Sequence, residues 1–175
     1  IETVLKAKVP IVSTTEELAY PWYSQRRLAA AIDAAAKKAK VAVLGTGVNP
    51  GFVMDRLPLT LAAACVSVAR VKVTRIVDAA KRRLPLRAKV GAGLTPEAFR
   101  AGVAARELGH RGLPESCALV ALGLGWRLDE VRSTIFAATG WRNLATPVPK
   151  PLAVTLVTAT PFPPYTLDQS ASASV

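Results

Sequence analysis

Residues 45–51 read GTGVNPG, and this stretch decides the fold. It follows a short apolar run, Val41–Leu44, and precedes a second apolar run that begins at Phe52. A β-type run, a glycine-rich turn and a helix start, in this order, indicate the end of a strand in an α/β domain. Backbone N–H groups at such a turn are open to a ligand.

The turn does not match the dinucleotide fingerprint G-x-G-x-x-G. The third glycine position of that fingerprint falls on Pro50, and Gly51 comes one residue late. An acidic residue that would hold a ribose 2′-hydroxyl is expected about 20 positions downstream. The first acid found in that direction is Asp78. The spacing therefore argues against a pyrophosphate loop.

The residues before the turn predict a β-α-β unit. Val9–Thr14 has the pattern of a strand, a helix with apolar residues at helical spacing is expected from Ser24, and Val41–Leu44 is the second strand. Strands joined in this way are parallel, and ligands bind beyond their carboxyl ends. The polar loops that follow the two strands are therefore expected at one edge of the sheet.

Five further elements are predicted downstream of the turn. Thr95-Pro96-Glu97 is a strong helix start, because it combines a capping residue, a proline in the first turn and an early acid. The elements are a helix over Phe52–Cys65 that Pro58 interrupts, a strand over Val68–Val77, the helix from Thr95 to near Gly109, a buried helix over Leu113–Leu124 and a short helix over Asp129–Ile135.

The character of the chain changes after Ile135. Charged residues become rare, prolines crowd together, and the one β-like run is Ala153–Thr158. We predict that residues 136–175 are poorly structured. Two explanations stay open, a loosely attached extension and a segment that a frame change has made foreign to the protein.

Composition narrows the function classes. The net charge is +11, but the basic residues are scattered apart from Lys81-Arg82-Arg83 with Arg87 and Lys89, and aromatic residues do not interleave with them. Polyanion binding is therefore kept only as an alternative, and nucleic acid is not the expected partner. The single histidine and the two separated cysteines exclude common zinc-site patterns, so no metal is expected.

The cysteine pattern also suggests a cellular location. We interpret Cys65 and Cys117 as reduced core residues of a cytoplasmic protein, and the sequence shows no membrane-spanning run. The chain starts at Ile1 in the middle of a pattern, so we expect further residues before it.

Five segments, in this order, carry a family resemblance over residues 1 to about 135. The chain resembles the dihydrodipicolinate-reductase-like NAD(P)-dependent oxidoreductases, and among them most nearly the 2,4-diaminopentanoate dehydrogenases. The segments are Val12–Trp22, Gly45–Asp55, Arg75–Ala79 with Arg82–Pro85, Gly91–Glu97 and Leu108–Ser116.

The resemblance implies an α/β fold over residues 1–135. Residues 1–46 are expected to form the C-terminal edge of a Rossmann-type parallel sheet, and residues 47–135 to begin an α+β substrate domain. The family would continue with further strands and a closing helix, but the sequence of residues 136–175 shows no such pattern, and an irregular tail is expected there. The family also implies a homo-oligomer.

The resemblance assigns roles to particular residues. It places the nicotinamide and ribose of NAD or NADP on two loops and the substrate near Glu115 and Ser116. It also implies that His110 is the catalytic residue, which binds the substrate or assists proton transfer at its nitrogen. A helix cap for Thr14 and Thr15, a packing role for His110 and a first-turn acid for Glu115 remain alternatives. The implied cofactor-binding residues are Ser13, Thr14, Thr15, Gly47, Val48 and Asn49.

Three functions remain open at this point. The first is an NAD(P)-dependent oxidoreductase that acts on a carbon–nitrogen centre of a small amino-acid-like substrate, with weak or no activity in the isolated chain. The second is a non-catalytic interaction or subunit fragment with unpaired strand edges. The third is a basic polyanion-binding protein.

Overall fold

The computed structural model describes residues 1–77, 79–138, 152–161 and 166–172. These residues form seven α-helices, two short 3-10 helices and six strands. In chain order they are α1 (Glu2–Lys6), β1 (Ile11–Ser13), a 3-10 helix (Glu16–Ala19), α2 (Pro21–Ser24), α3 (Arg26–Ala39), β2 (Val43–Gly45), α4 (Arg56–Ala62), β3 (Arg70–Ile76), a 3-10 helix (Ala79–Lys81), α5 (Leu84–Lys89), α6 (Pro96–Ala104), α7 (Leu113–Gly123), β4 (Leu128–Ala138), β5 (Leu152–Pro161) and β6 (Thr166–Ser172).

The predicted β-α-β unit is present as β1, α3 and β2. The strands pair in parallel, with Ile11 opposite Val43 and Ser13 opposite Gly45. The hydrogen bonding continues past the strands, because the Thr46 N–H donates to the Ser13 carbonyl over 2.8 Å. The two polar loops therefore start side by side, as the sequence predicted.

Helix α3 begins later than expected. Ser24 does not start it but ends α2, and Gln25 between the two helices has a non-helical backbone with φ −129°. The helical spacing of Leu28, Ile32, Ala35 and Ala39 predicts a core face that includes Leu28, but Leu28 is exposed, whereas Ala29 and Ala36 are buried. Small residues on this face let the helix lie close to its neighbours.

The second sheet contains four strands in the order β3-β6-β5-β4. β3 and β6 are parallel, while β6 with β5 and β5 with β4 are antiparallel. This arrangement corrects two predictions. The segment expected to be a short helix over Asp129–Ile135 is part of strand β4, and the tail expected to be irregular contains β5 and β6.

The physical reason for both corrections is side-chain type and pairing. Val131, Thr134 and Ile135 are β-branched and favour a strand, and antiparallel bonding to β5 outweighs the capping signal of Asp129. The predicted β-like run Ala153–Thr158 lies within β5. Residues 139–151, 162–165, 173–175 and Asp78 lie outside the described residues.

The core lies where α7 packs against this sheet. Met54, Leu113, Cys117 and Val120 are fully buried together. Strand residues from β3 and β4 pack around them, namely Val71, Val73, Leu128 and Val131. Neither cysteine forms a disulfide with a described residue. Cys117 is in the core as predicted, whereas Cys65 is exposed, contrary to prediction.

Two helices downstream of the turn, α4 and α6, begin directly after residues that cap them. Thr95 accepts a hydrogen bond from the Ala98 N–H over 3.3 Å and caps α6, as predicted. The predicted Phe52–Cys65 helix is shorter, because Asp55 caps α4 and Pro58 falls in its first turn. None of the helices in the described ranges is long and apolar enough to cross a membrane.

Candidate functional site

The two loops at the carboxyl ends of β1 and β2 form the floor of the candidate site. After β1, the Ser13 hydroxyl donates to Thr15 Oγ1 over 3.0 Å and accepts from the Thr15 N–H over 3.2 Å. Thr15 occupies the N-cap position of the following 3-10 helix but makes no side-chain capping bond. Thr14 and Thr15 are both exposed residues.

The loop after β2 is folded tightly on itself. Gly51 has φ +120°, and a Cβ atom on it would lie only 2.5 Å from the Gly47 nitrogen. A Cβ atom on Gly45 would lie 1.8 Å from the Leu18 carbonyl oxygen, so neighbouring backbone fills the space beside that glycine. Close packing of backbone explains these glycines without a pyrophosphate.

Two residues that sequence reasoning gave no role hold this loop. Asp55 is fully buried. Its carboxylate accepts from the Gly51 N–H over 2.7 Å, from the Arg56 N–H over 2.6 Å and from the Ser116 hydroxyl over 2.7 Å. The Arg56 guanidinium donates to the Gly45 carbonyl over 2.8 Å and to the Gly51 carbonyl over 2.5 Å. Both ends of the loop are thus tied to the start of α4.

A chain of four side chains runs across the loops. Asn49 is buried, and its Nδ2 lies 3.1 Å from His110 Nε2. The other ring nitrogen, His110 Nδ1, lies 3.7 Å from Glu16 Oε1. The Lys89 ammonium then donates to both Glu16 oxygens, over 2.6 and 2.7 Å. The chain therefore joins both loops to α5 and to the loop before α7.

The surroundings of His110 keep its ring neutral. Burial, together with the positive charges of Lys89, Arg75 and Arg82, lowers the pKa of His110 from its ordinary value to about 4. The carboxylate of Glu16 acts in the opposite direction but does not outweigh these effects. At neutral pH the imidazole is therefore a hydrogen-bonding group rather than a cation.

The two predicted substrate-binding residues lie on the buried side of α7. Ser116 has no exposed surface, and its hydroxyl is bonded to Asp55. Glu115 is 5% exposed and accepts from the Ser24 hydroxyl over 2.5 Å. Burial raises the pKa of Tyr23, and the nearby Glu115 and Cys117 raise it further. These contacts favour a structural role for both residues.

The structure thus brings some of the predicted site residues together and leaves others apart. Asn49 and His110 meet directly, while Ser13, Thr14, Thr15 and Gly47 lie at the same edge of the sheet. Val48 is exposed, and Glu115 and Ser116 are turned into the core. Among the described residues, no group of histidine, cysteine and acidic side chains is arranged to hold a metal ion.

Comparisons with known proteins identify the family of the chain. Residues 52–142 match the family model for the 2,4-diaminopentanoate dehydrogenase C-terminal domain. The chain belongs to this family. A 2,4-diaminopentanoate dehydrogenase of Acetoanaerobium sticklandii is 36% identical over 130 residues, which cover 74% of this chain and 37% of that protein.

A solved structure extends the likeness to the fold. The amine dehydrogenase from Mycobacterium smegmatis superposes with a TM-score of 0.76 and 16% sequence identity, over 98% of this chain and 53% of that one. At this identity the likeness concerns the fold alone. The chain spans about a third of the length of its family relative and about half of this structural neighbour.

Proposed function

We propose that this chain carries the nicotinamide end and the amine site of an NAD(P)-dependent oxidoreductase that acts at a carbon–nitrogen centre of an amino-acid-like substrate. In this proposal residues 1–46 are the last part of a Rossmann-like nucleotide-binding domain, and residues 47–135 belong to the substrate domain. Family membership and the parallel pairing of β1 with β2 support this division.

The observation that carries the proposal is the chain Asn49–His110–Glu16 at the carboxyl edge of the parallel strands. Parallel sheets bind their ligands beyond this edge. Oxidation of an amine requires a group that takes the ammonium proton, so that the nitrogen lone pair is free when the hydride leaves the carbon. The Glu16 side chain is 26% exposed and lies at this edge, which suits it to that task.

The residues of the two loops fit a nicotinamide carboxamide. Asn49 Oδ1 is a buried acceptor without a hydrogen-bond partner in the described part of the chain, and an amide N–H is a donor that would satisfy it. The hydroxyl groups of Ser13 and Thr15 lie on the neighbouring loop and suit a ribose. When bound, the nicotinamide carries the hydride; the protein supplies position and proton handling.

Three side chains of the protein have separate roles in accepting the substrate proton. Glu16 receives the proton from the substrate nitrogen, and Lys89 holds the carboxylate by bonding to both oxygens. His110 contributes as a neutral ring, because its lowered pKa of about 4 keeps it from holding a second proton at neutral pH. Glu115 and Ser116 have no part in this scheme beyond shaping the core.

A titration with reduced nicotinamide mononucleotide tests the nicotinamide site. This probe lacks the adenylate half, so binding depends only on the residues discussed above. We expect NMR shifts in the loops around Ser13 and Asn49 and at the single histidine, and no such shifts with adenosine monophosphate. The N49A variant should lose the response. Shifts confined to other parts of the protein would refute the site.

The full dinucleotide provides a second measurement. We expect NADH or NADPH to bind the isolated chain poorly and turnover of 2,4-diaminopentanoate to be slow or absent. Micromolar binding of the dinucleotide to the isolated chain would contradict this expectation. The choice between NAD and NADP remains open.

One observation favours the second candidate, an interaction or subunit fragment. A cavity of about 520 Å³ opens between α2, α3 and β2, and its lining includes Leu18, Trp22, Ile32, Val43 and Leu122. Leu44 beside it is 48% exposed. An exposed apolar area of this kind is typical of an interface. Sedimentation equilibrium tests it: we expect L44K to weaken any association of the chain.

The remaining alternatives are tested by bulk behaviour. Polyanion binding predicts a steep loss of DNA affinity as salt rises, and a flat response removes this alternative. The homo-oligomer that the family implies, and the cytoplasmic location, remain predictions.

A further inference from the structure

The imidazole of His110 lies between the hydrogen-bonded amide of Asn49 and the nearby carboxylate of Glu16. Its Nε2 is 3.1 Å from Asn49 Nδ2, and its Nδ1 is 3.7 Å from Glu16 Oε1. A neutral imidazole carries one hydrogen, so one nitrogen donates and the other accepts. Which nitrogen holds the hydrogen depends on what Asn49 offers to the ring.

The orientation of the Asn49 amide follows from a third residue. Asn49 Nδ2 also lies 3.0 Å from the Met54 sulfur, which is an acceptor. An –NH₂ group has two hydrogens and can donate one to the sulfur and one to the imidazole. The reversed amide would set the carbonyl oxygen against the sulfur lone pairs and lose a hydrogen bond. The amide nitrogen therefore faces both partners.

This orientation makes His110 Nε2 the acceptor and leaves the hydrogen on Nδ1. We propose that Asn49 is a positioning residue that selects the Nδ1–H tautomer of His110 and thereby directs the imidazole N–H to Glu16. The inference rests on the proposed function, in which Glu16 takes the substrate proton. In that reaction the N–H dipole of the imidazole, directed toward Glu16 across 3.7 Å, favours the ionised carboxylate electrostatically.

The charges around the ring support a single neutral form. Glu16 and Lys89 face His110, and Arg75 and Arg82 add positive charge on the same ring. The cations disfavour the imidazolium, so the neutral ring predominates at neutral pH. The choice between its two tautomers is then left to the hydrogen bonds that its nitrogens make.

Nitrogen-15 NMR of the full chain tests the proposal directly, because His110 is the one histidine in the sequence. At pH 8, where the ring is neutral, we expect a protonated-type shift for Nδ1 and an unprotonated-type shift for Nε2. The opposite pair of shifts in the wild-type chain would overturn the proposal without any variant. Equal intermediate shifts, which indicate both tautomers, would overturn it as well.

The N49D variant supplies the matched perturbation. Aspartate has nearly the shape of asparagine, but its carboxylate only accepts, so the ring hydrogen should move to Nε2. We expect the two shifts to exchange in N49D and to remain unchanged in D33N, which makes the reverse exchange at a remote exposed site. An N49D chain that folds and retains the wild-type pair of shifts contradicts the proposal.

These spectra need no ligand, so the two proposals fail separately. If the Nδ1–H tautomer is found but reduced nicotinamide mononucleotide does not bind, the function is wrong and the positioning role stands. If the probe binds and the tautomer is Nε2–H, the function stands and the positioning role is wrong.

Discussion

The buried carboxylate of Asp55 offers the sharpest test of how the GTGVNPG loop is held. The perturbation is D55N, which preserves shape and replaces one oxygen by an amide nitrogen. Asp55 Oδ2 accepts from the Gly51 N–H and the Ser116 hydroxyl, and Oδ1 accepts from the Arg56 N–H. If the carbonyl oxygen of the asparagine occupies the place of Oδ2, its –NH₂ group occupies the place of Oδ1. The –NH₂ group then faces the Arg56 N–H, and two donors oppose each other.

The magnitude follows from these contacts. One charge-assisted hydrogen bond is lost, which costs about 1.5–3 kcal/mol, and the remaining two bonds weaken because the acceptor is neutral. We expect the free energy of unfolding to fall by about 3 kcal/mol, which lowers the melting temperature by about 6–12 °C for a chain of this size. S116A removes one of the three donors to the Asp55 carboxylate and leaves the other two. We therefore expect this variant to lower the free energy of unfolding by about 1 kcal/mol.

Urea unfolding followed by tryptophan fluorescence and circular dichroism measures all three variants. D33N is the control, because Asp33 makes an exposed ion pair with Lys37 and its loss should change stability by less than about 0.5 kcal/mol. A D55N chain that unfolds within about 1 kcal/mol of the wild type would refute the view that Asp55 organises the loop.

Three further predictions concern pH, backbone and core. Because the unfolded chain protonates His110 near 6.5 and the folded chain only at about 4, stability should fall by about 2 kcal/mol from pH 7.5 to 5, and this fall should vanish in H110Q. G112A should lower the free energy of unfolding in urea by about 2 kcal/mol more than G93A does. Both glycines have positive φ, but only a Cβ atom on Gly112 would contact the ring of Pro50, at 2.5 Å. Equal losses in the two variants would contradict this explanation. L113A should lower the free energy of unfolding by about 2–5 kcal/mol and L122A by less than about 1 kcal/mol, because Leu113 is fully buried and Leu122 is 60% exposed. Thermal unfolding of the two variants measures this difference, and equal losses would contradict it.

Local sequence was sufficient for the elements whose causes are local. Helical spacing indicated α3, the Thr95 capping residue indicated the start of α6, and the polar residues after each parallel strand placed both loops at one edge. Each of these signals acts within a few residues of the chain. The family resemblance added His110 and Asn49, which the structure then brought into contact.

The errors arose where distant contacts outweigh local preference. Asp129 has the chemistry of a helix cap, but pairing of β4 with β5 makes the segment a strand. Glu115 and Ser116 lie in the first turn of α7, where packing turns both into the core, and their assignment to the substrate stays a prediction. Neither pairing nor burial is visible in a window of neighbouring residues.

By itself the sequence determined the order of strand, glycine turn and helix, because backbone geometry and side-chain spacing are properties of adjacent residues. The tertiary structure alone decided which groups lie together at the candidate site. Lys89 reaches Glu16 across 73 positions in the chain, and Asn49 reaches His110 across 61. Contacts between residues so far apart in the chain depend on how helices and sheets pack. The hydrogen bonds in these contacts then determine which groups donate and which accept, and the proposed chemistry depends on those roles.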